Sequence, residues 1–221
     1  LNQSVHSEQI AAFLLGWRVR LETVEELKTT LEVCNKYIKR VKIPNSIELG
    51  YPFDGKADNP YLLPLISKYL KKFDLNLVVS GDEIQPAKKG LTIKQLYENI
   101  EFDDNVFYFD RADYFKELSD LTKIRNILGL RTAFNTVEKL LNPGTSDYAV
   151  NAAFHKPYVS KYNQIFGNNY KNLIIVKGNE GTPEIFSKCK YWQTIDGKIT
   201  EYIIDPEYFG INYKKSMHII S

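Results

Sequence analysis

Apolar residues recur at helical spacing over the first forty positions of this 221-residue chain and then change rhythm. Between Ser7 and Trp17, the apolar residues Ile10, Phe13, Leu14 and Trp17 form one helical stripe. Thr23 reads as the N-cap of a second helix, and Glu26 three residues on completes a capping box. Its apolar positions Val24, Leu27, Leu31, Cys34 and Ile38 repeat at the same period. Lys39, Arg40 and Lys42 suit the negative end of a helix, and Pro44 stops it.

From Ser46 the pattern is that of an α/β unit. Ser46–Leu49 is a short apolar segment, and the stretch Tyr51–Pro60 is a loop rich in Gly, Pro, Asp and Asn. Tyr61–Phe73 is an amphipathic helix and Leu75–Val79 a buried strand, so the segment predicts a right-handed βαβ unit with parallel pairing. Thr92 caps a short helix through Tyr97, and Asn105–Phe109 is a strand. Helices are predicted over Tyr114–Arg125 and Thr132–Leu141, separated by Gly129 and followed by the break Asn142-Pro143-Gly144. Tyr158–Phe166 is helical, Leu173–Val176 is a parallel-type strand, and Gly178–Gly181 is a turn. Past Trp192 the residues alternate, as in Ile199–Ile204.

The expected fold class is α/β. Residues 1–44 form a small helical domain, joined in part by helices from about 110–165, and residues 45–109 with 166–221 form an α/β domain around a mainly parallel sheet. Clefts between such units and at strand C-termini are where ligands bind.

Composition narrows the picture without naming a chemistry. Hydrophobic residues make up 43% and charged ones 25%, which is globular. The formal charge of +2 announces no nucleic-acid binder, so any basic surface must come from local clustering. No apolar run approaches the ~18 residues that span a bilayer, and the start lacks a signal-peptide pattern. Chain opening at Leu1 suggests a trimmed or partly ordered N-terminus. Cys34 and Cys189 lack metal-ligand spacing, which makes a reduced, cytoplasmic setting the default. His6, His155 and His218 lie far apart, and no nucleophile elbow, Walker A loop or dinucleotide fingerprint is present.

One stretch is specific. Arg125-Asn126-Ile127-Leu128-Gly129-Leu130-Arg131-Thr132-Ala133-Phe134-Asn135, running on to Leu141-Asn142-Pro143, resembles the Arg-x-x-Leu-Gly-x-Arg-Thr-x-Phe-Asn … Leu-x-Asn-Pro pattern of anthranilate phosphoribosyltransferases. Gln9–Leu15 with Glu22–Leu27, and Lys177–Glu184 with Asp205–Gly210, are similar to further family segments in the same order. The resemblance implies a helical plus an α/β domain, a homodimer, and a cleft for phosphoribosyl pyrophosphate, Mg²⁺ and an aromatic acceptor.

The residues that match the family's ligand positions are altered. Where the family has Gly-Thr-Gly-Gly-Asp and Asn-x-Ser-Thr, this chain has Tyr51-Pro52-Phe53-Asp54-Gly55-Lys56 and Asn59-Pro60-Tyr61-Leu62. Pro52 removes a donor N–H, and Tyr51 and Phe53 are expected to crowd a pyrophosphate. Asp54, Gly55, Lys56 and Asn59, with Ser80 and Gly81 after the second strand, are the candidate phosphate-ligand residues. Asp82 and Glu83 in place of Lys-His-type residues are expected to repel a polyanion. Glu180 and Glu184 are the candidate Mg²⁺ ligands, with one of the family's paired acids replaced by Pro183. Arg125 and Asn142 are candidates for acceptor or anion contact.

A non-catalytic branch of the family is more similar still, through Phe53-Asp54-Gly55, Asn59–Leu65 and Gly178-Asn179-Glu180-Gly181-Thr182-Pro183. That resemblance implies a dimer that binds nucleic acid, single-stranded DNA included, or a phosphorylated ligand, without transferring phosphoribose. Lys68, Lys71, Lys72, Lys88 and Lys89 are the candidate nucleic-acid contacts, with Tyr37, Tyr69 and Phe73 available for stacking. An active transferase with a rearranged loop and a pure interaction partner are the rival expectations.

Overall fold

The computed structural model describes residues 5–86, 90–153 and 155–212. Helices α1 (Ser7–Arg20) and α2 (Val24–Asn35) come first, and the predicted capping box is formed. Thr23 Oγ1 accepts from the Glu26 amide at 3.2 Å, and a Glu26 carboxylate oxygen accepts from the Thr23 amide at 3.0 Å. Such a cap is worth about 1 kcal/mol. The same carboxylate accepts from Trp17 Nε1 at 3.1 Å, which ties α1 to α2. The α1 stripe departs from expectation at one position. Leu14 and Trp17 are buried, whereas Phe13 is exposed, together with Leu15 and Val19 on other sides of the helix.

Strand β1 (Ser46–Gly50) leads through the Tyr51–Leu62 loop to α3 (Leu63–Lys71) and back to β2 (Asn76–Gly81). Then follow α4 (Ile93–Asn99), β3 (Val106–Asp110), α5 (Arg111–Tyr114) and α6 (Lys116–Leu128). The single helix expected over Tyr114–Arg125 is thus displaced and broken at Phe115, a buried residue whose φ of −154° and ψ of 69° are not helical. Gly129 at φ 67° ends α6.

The Thr132–Leu141 helix is also cut short. It is reduced to α7 (Phe134–Val137) and one 3-10 turn, Glu138–Leu140. Every residue from Thr132 to Leu141 is buried, polar Asn135, Glu138 and Lys139 included, so the backbone follows their individual partners rather than an amphipathic stripe. Strand β4 (Tyr148–Ala152), which the sequence pattern did not reveal, is followed by α8 (Lys156–Phe166), β5 (Asn172–Val176), β6 (Cys189–Ile195) and β7 (Lys198–Ile204).

The seven strands form one sheet in the order β3-β2-β1-β4-β5-β6-β7. The first five pair in parallel, Leu49 lying between Val79 and Val150, and β6 and β7 extend the sheet antiparallel. Ala149, Leu173 and Ile175 pack with Leu14, Leu27, Leu118 and Phe166 of the helices in one core, while Val150 packs against the second core of Leu49, Leu77, Val79, Ile93 and Leu96. Adjacent strand residues Ala149 and Val150 face opposite sides, so each core covers one face of the sheet. β1 lies between β2 and β4, and the chain runs outward from it in both directions. That is the topological switch point at which open α/β sheets bind ligands, outside the strand C-termini. Among the described residues, no helix is long and apolar enough to cross a membrane.

Candidate ligand cleft

A cleft of about 580 Å³ opens at this switch point. Pro52 and Asp54 follow β1, Ala152 ends β4, and Asn179, Glu180 and Gly181 follow β5. Arg18 of α1, Tyr158 and Tyr162 of α8, and Arg131, Thr132, Asn135 and Lys139 also line it, together with the acids Glu22 and Asp58. Helices and strand ends therefore meet around the cleft.

Of the two candidate metal-binding acids, Glu180 lines this cleft and Glu184 is buried outside its lining, and both are engaged by the protein itself. Glu180 accepts from the backbone amides of Ala57, Asp58 and Asn59 at 2.7, 3.1 and 3.1 Å, and from Asn59 Nδ2 at 3.3 Å. Glu184 pairs with the Lys56 ammonium and accepts from Tyr51 Oη at 3.0 Å and from the Leu62 amide at 2.7 Å. Lys56 also donates to the Pro60 carbonyl at 2.8 Å and sits over the Phe186 ring, 4.6 Å from its centroid. Burial first, and then the Glu184 charge, hold the Tyr51 hydroxyl well above the usual phenol range, so it stays a donor. A divalent cation fits this donor set poorly. The carboxylate oxygens already accept hydrogen bonds, and an ammonium stands where Mg²⁺ would need to approach Glu184.

Asp54 is fully buried and pairs with the half-exposed Arg131, while its Oδ1 has no hydrogen-bond partner. Gly55 survives for a local reason. It has φ 78°, and a Cβ there would lie 2.3 Å from the Gly90 carbonyl oxygen, beside the antiparallel bridge of Lys56 to Leu91. The Tyr51 and Phe53 rings do not crowd the cleft as expected. Both are buried beneath the loop, Tyr51 edge-on to Tyr61 at 5.5 Å and Phe53 under the Arg111 guanidinium at 4.4 Å.

Asp82 does not project repulsion either. It is buried against Arg111 and accepts from Ser119 Oγ at 2.8 Å. Arg111 also pairs with Glu138, and Glu138 receives two bonds from Arg125, at 2.8 and 3.0 Å. Burial pushes the Glu138 carboxyl up, but the Arg125 and Arg111 charges outweigh it and hold it at about 2. Arg125 is therefore a buried member of an Asp–Arg–Glu–Arg cluster and not part of the cleft wall. Asn142 closes a turn, its side chain bonding both the amide and the carbonyl of Ser146. Ser80 and Gly81 end β2 away from the cleft lining, and Gly81 packs against Tyr108 and Lys94.

Of the candidate nucleic-acid lysines, Lys68, Lys71 and Lys72 are exposed at the end of α3, whereas Lys88 and Lys89 lie outside the described residues. Lys71 is bound to Asp104 at 2.6 Å and lies 3.8 Å from Asp103. Leu65 and Tyr69 stand four residues apart on one face of α3, and Phe73 follows in the turn after it; they are 67%, 60% and 59% exposed, with the two rings 5.3 Å apart. Sequence reasoning missed Arg18, Arg111, Glu138, Lys139, Tyr158 and Tyr162. The spacing of Arg111 to Glu138 carries no motif, and only the fold brings them together.

Residues 82–221 match the family model described as the glycosyl transferase family, a/b domain. The chain is 32% identical over 216 residues to an uncharacterized protein of Aquifex aeolicus, covering 94% of this chain and 67% of that one. It is 27% identical to an anthranilate phosphoribosyltransferase of Neisseria meningitidis serogroup C, over 98% of this chain and 67% of the relative. Among solved structures, the anthranilate phosphoribosyltransferase of Thermus thermophilus superposes with a TM-score of 0.73 at 16% identity, covering 95% of this chain and 67% of the other. The Saccharomyces cerevisiae enzyme in complex with PRPP and Mg gives 0.66 at 14%, covering 95% and 63%. The chain thus spans about two thirds of the length of the curated relatives it matches. On this family match and on the relatives' similarity along nearly the whole chain, the protein belongs to the glycosyl transferase family that includes the anthranilate phosphoribosyltransferases.

Proposed function

We propose that this family member binds single-stranded nucleic acid and does not transfer phosphoribose. The observation that carries the loss of transfer is the engagement of both acids. Glu180 fills the amides of the 57–59 loop, and Glu184 is neutralised by Lys56. Transfer through an electron-poor sugar carbon needs a held pyrophosphate and, in this chemistry, a cation on it. Neither the amides nor the carboxylates offer that hold while they bond to one another.

The α3 face supports the binding half of the reading. Tyr69 and Phe73 expose neighbouring rings to solvent, and Lys68 and Lys72 flank them. Bases stack on such rings at ~1–3 kcal/mol each, while ammonium groups meet phosphates without reading sequence. The outward-facing Leu15 and Val19, which share one side of α1, are where we place the contact of a homodimer. Free Cys34 and Cys189 fit a reducing cytoplasm.

Fluorescence anisotropy with a labelled DNA single strand at low salt tests this function. Saturable binding, weakened at least tenfold in a Tyr69→Ala/Phe73→Ala double variant, is expected. No binding at low salt removes the nucleic-acid reading.

A second reading is phosphoribosyl transfer with Mg²⁺, by analogy with the names of the transferase relatives and the PRPP and Mg of the yeast complex. It requires Glu180 and Glu184 to leave their present partners.

A further inference from the structure

Four N–H donors of one loop converge on a carboxylate that belongs to the protein itself. The three successive amides of Ala57, Asp58 and Asn59 aim at the two oxygens of Glu180, and Asn59 Nδ2 adds a fourth bond. Consecutive amides pointing into one concavity form an anion-binding nest. In this chain the anion is a side chain delivered from 121 to 123 residues away.

The turn that delivers it is unusual in its own right. Glu180 has φ 52° and ψ 22°, a left-handed conformation that side-chain-bearing residues seldom adopt, and Gly181 follows at φ 75°. Close packing fixes the turn. A Cβ on Gly178 would lie 1.9 Å from the Thr182 carbonyl oxygen, Thr182 Oγ1 donates to the Asn179 carbonyl at 2.7 Å, and Lys139 Nζ donates to the Gly181 carbonyl at 3.0 Å. Glu180 is thereby held in the nest by a backbone conformation that glycine would adopt with less strain.

Beside the filled nest, the cleft holds room for a ligand, lined by Arg18, Arg131 and Tyr158 and also by the acids Glu22, Asp54 and Asp58, of which Asp54 pairs with Arg131. We infer that the 57–59 loop is a phosphate-binding nest held shut by Glu180, so that the cleft accepts a phosphoryl group only when this carboxylate is displaced. A tethered competitor acts at an effective concentration of millimolar order or above, so free phosphate must reach that range to displace it. The inference rests on the reading that the cleft of the unaltered protein holds no diphosphate, and it names the group responsible.

The test is titration of inorganic phosphate and of pyrophosphate, without metal, into the unaltered protein, Glu180→Gly and Glu180→Gln. Heat of binding, the melting temperature and the backbone resonances of Ala57–Asn59 are followed. The expected result is no saturation of the unaltered protein up to millimolar phosphate, and at least tenfold tighter binding by Glu180→Gly with shifts at those three amides. Glu180→Gln keeps an oxygen on the amides but loses the charge, so a smaller gain is expected. It also keeps the test alive if the glycine variant does not fold. Folded variants that bind neither anion, or that bind without shifts at residues 57–59, overturn the inference and leave the proposed function standing. Pyrophosphate binding by the unaltered protein as tight as by the variants overturns both.

Discussion

The Lys56 ammonium and the Glu184 carboxylate form an ion pair from which solvent is excluded on both sides, each side chain being 0% exposed. One of the family's ligand-position acids has thereby become part of the interior, tied to the loop that faces the cleft. Removing one partner of such a pair leaves a buried charge unmatched and costs about 3–5 kcal/mol, more than the pair itself contributes. Lys56→Met is therefore expected to lower the urea midpoint sharply, and Lys56→Met/Glu184→Leu to recover much of that loss. A Lys56→Met variant as stable as the parent would show that the pair is not solvent-excluded.

Acid stability should report the Arg111–Glu138–Arg125 cluster. The folded-state carboxyl of Glu138 is held at about 2 against an ordinary 4.5. Its stabilisation is thus complete above pH ~4.5 and is lost as pH falls toward ~2. In Glu138→Gln this loss is absent because the stabilisation is already gone at neutral pH, so its stability curve between pH 5 and 2 runs flatter than the parent's. Equally steep curves for the two would count against the cluster.

Glu48 works in the opposite direction. Burial raises its carboxyl from 4.5 to about 7, against the opposing bonds from Tyr170 Oη and the Asn142 amide and the charge of Arg40. Between those values the unfolded chain gives up the proton and the folded one keeps it, so stability falls as pH rises from ~4.5 to ~7 and levels off above. The fall is at most about 3.5 kcal/mol at roughly 1.4 kcal/mol per pH unit. Denaturant titrations at pH 5 and pH 8 measure it, and Glu48→Gln should remove most of the difference. A parent protein no less stable at pH 8 than at pH 5 would contradict this assignment.

The α3 lysines should not contribute equally. Lys71 is occupied by Asp104, while Lys68 and Lys72 have no such ion pair among the described residues. Lys68→Ala/Lys72→Ala is expected to reduce the slope of log affinity against log salt by about 1 to 2 for single-stranded DNA, and adding Lys71→Ala to change it little further. A Lys71→Ala effect as large as that of the other two combined would contradict the pairing.

Much of the fold was legible because it rests on local chemistry. Thr23 and Thr92 cap helices where their hydroxyls say they should, and β1, β2, β3 and β5 fall on their apolar runs. What was not legible depends on distant partners. Strand β4 is too short and mixed to stand out, and it exists because β1 and β5 flank it. The Thr132–Leu141 helix shrank because Glu138 and Lys139 are drawn to Arg111, Arg125 and the carbonyls of Ala152 and Gly181. At the cleft, the loss of glycines was visible in the sequence, but its consequence was not. Tyr51 and Phe53 turned inward instead of blocking the space, and the obstruction came from Glu180. A sequence shows that a loop has changed; it does not show which residue more than a hundred positions later will settle on its amides.

Isothermal titration calorimetry with phosphoribosyl pyrophosphate and Mg²⁺ tests the central claim most directly. With Glu180 on the loop amides and Lys56 on Glu184, no saturable heat is expected up to millimolar ligand. Saturation in the micromolar range, dependent on Mg²⁺, would contradict the account and return this protein to the working transferases of its family.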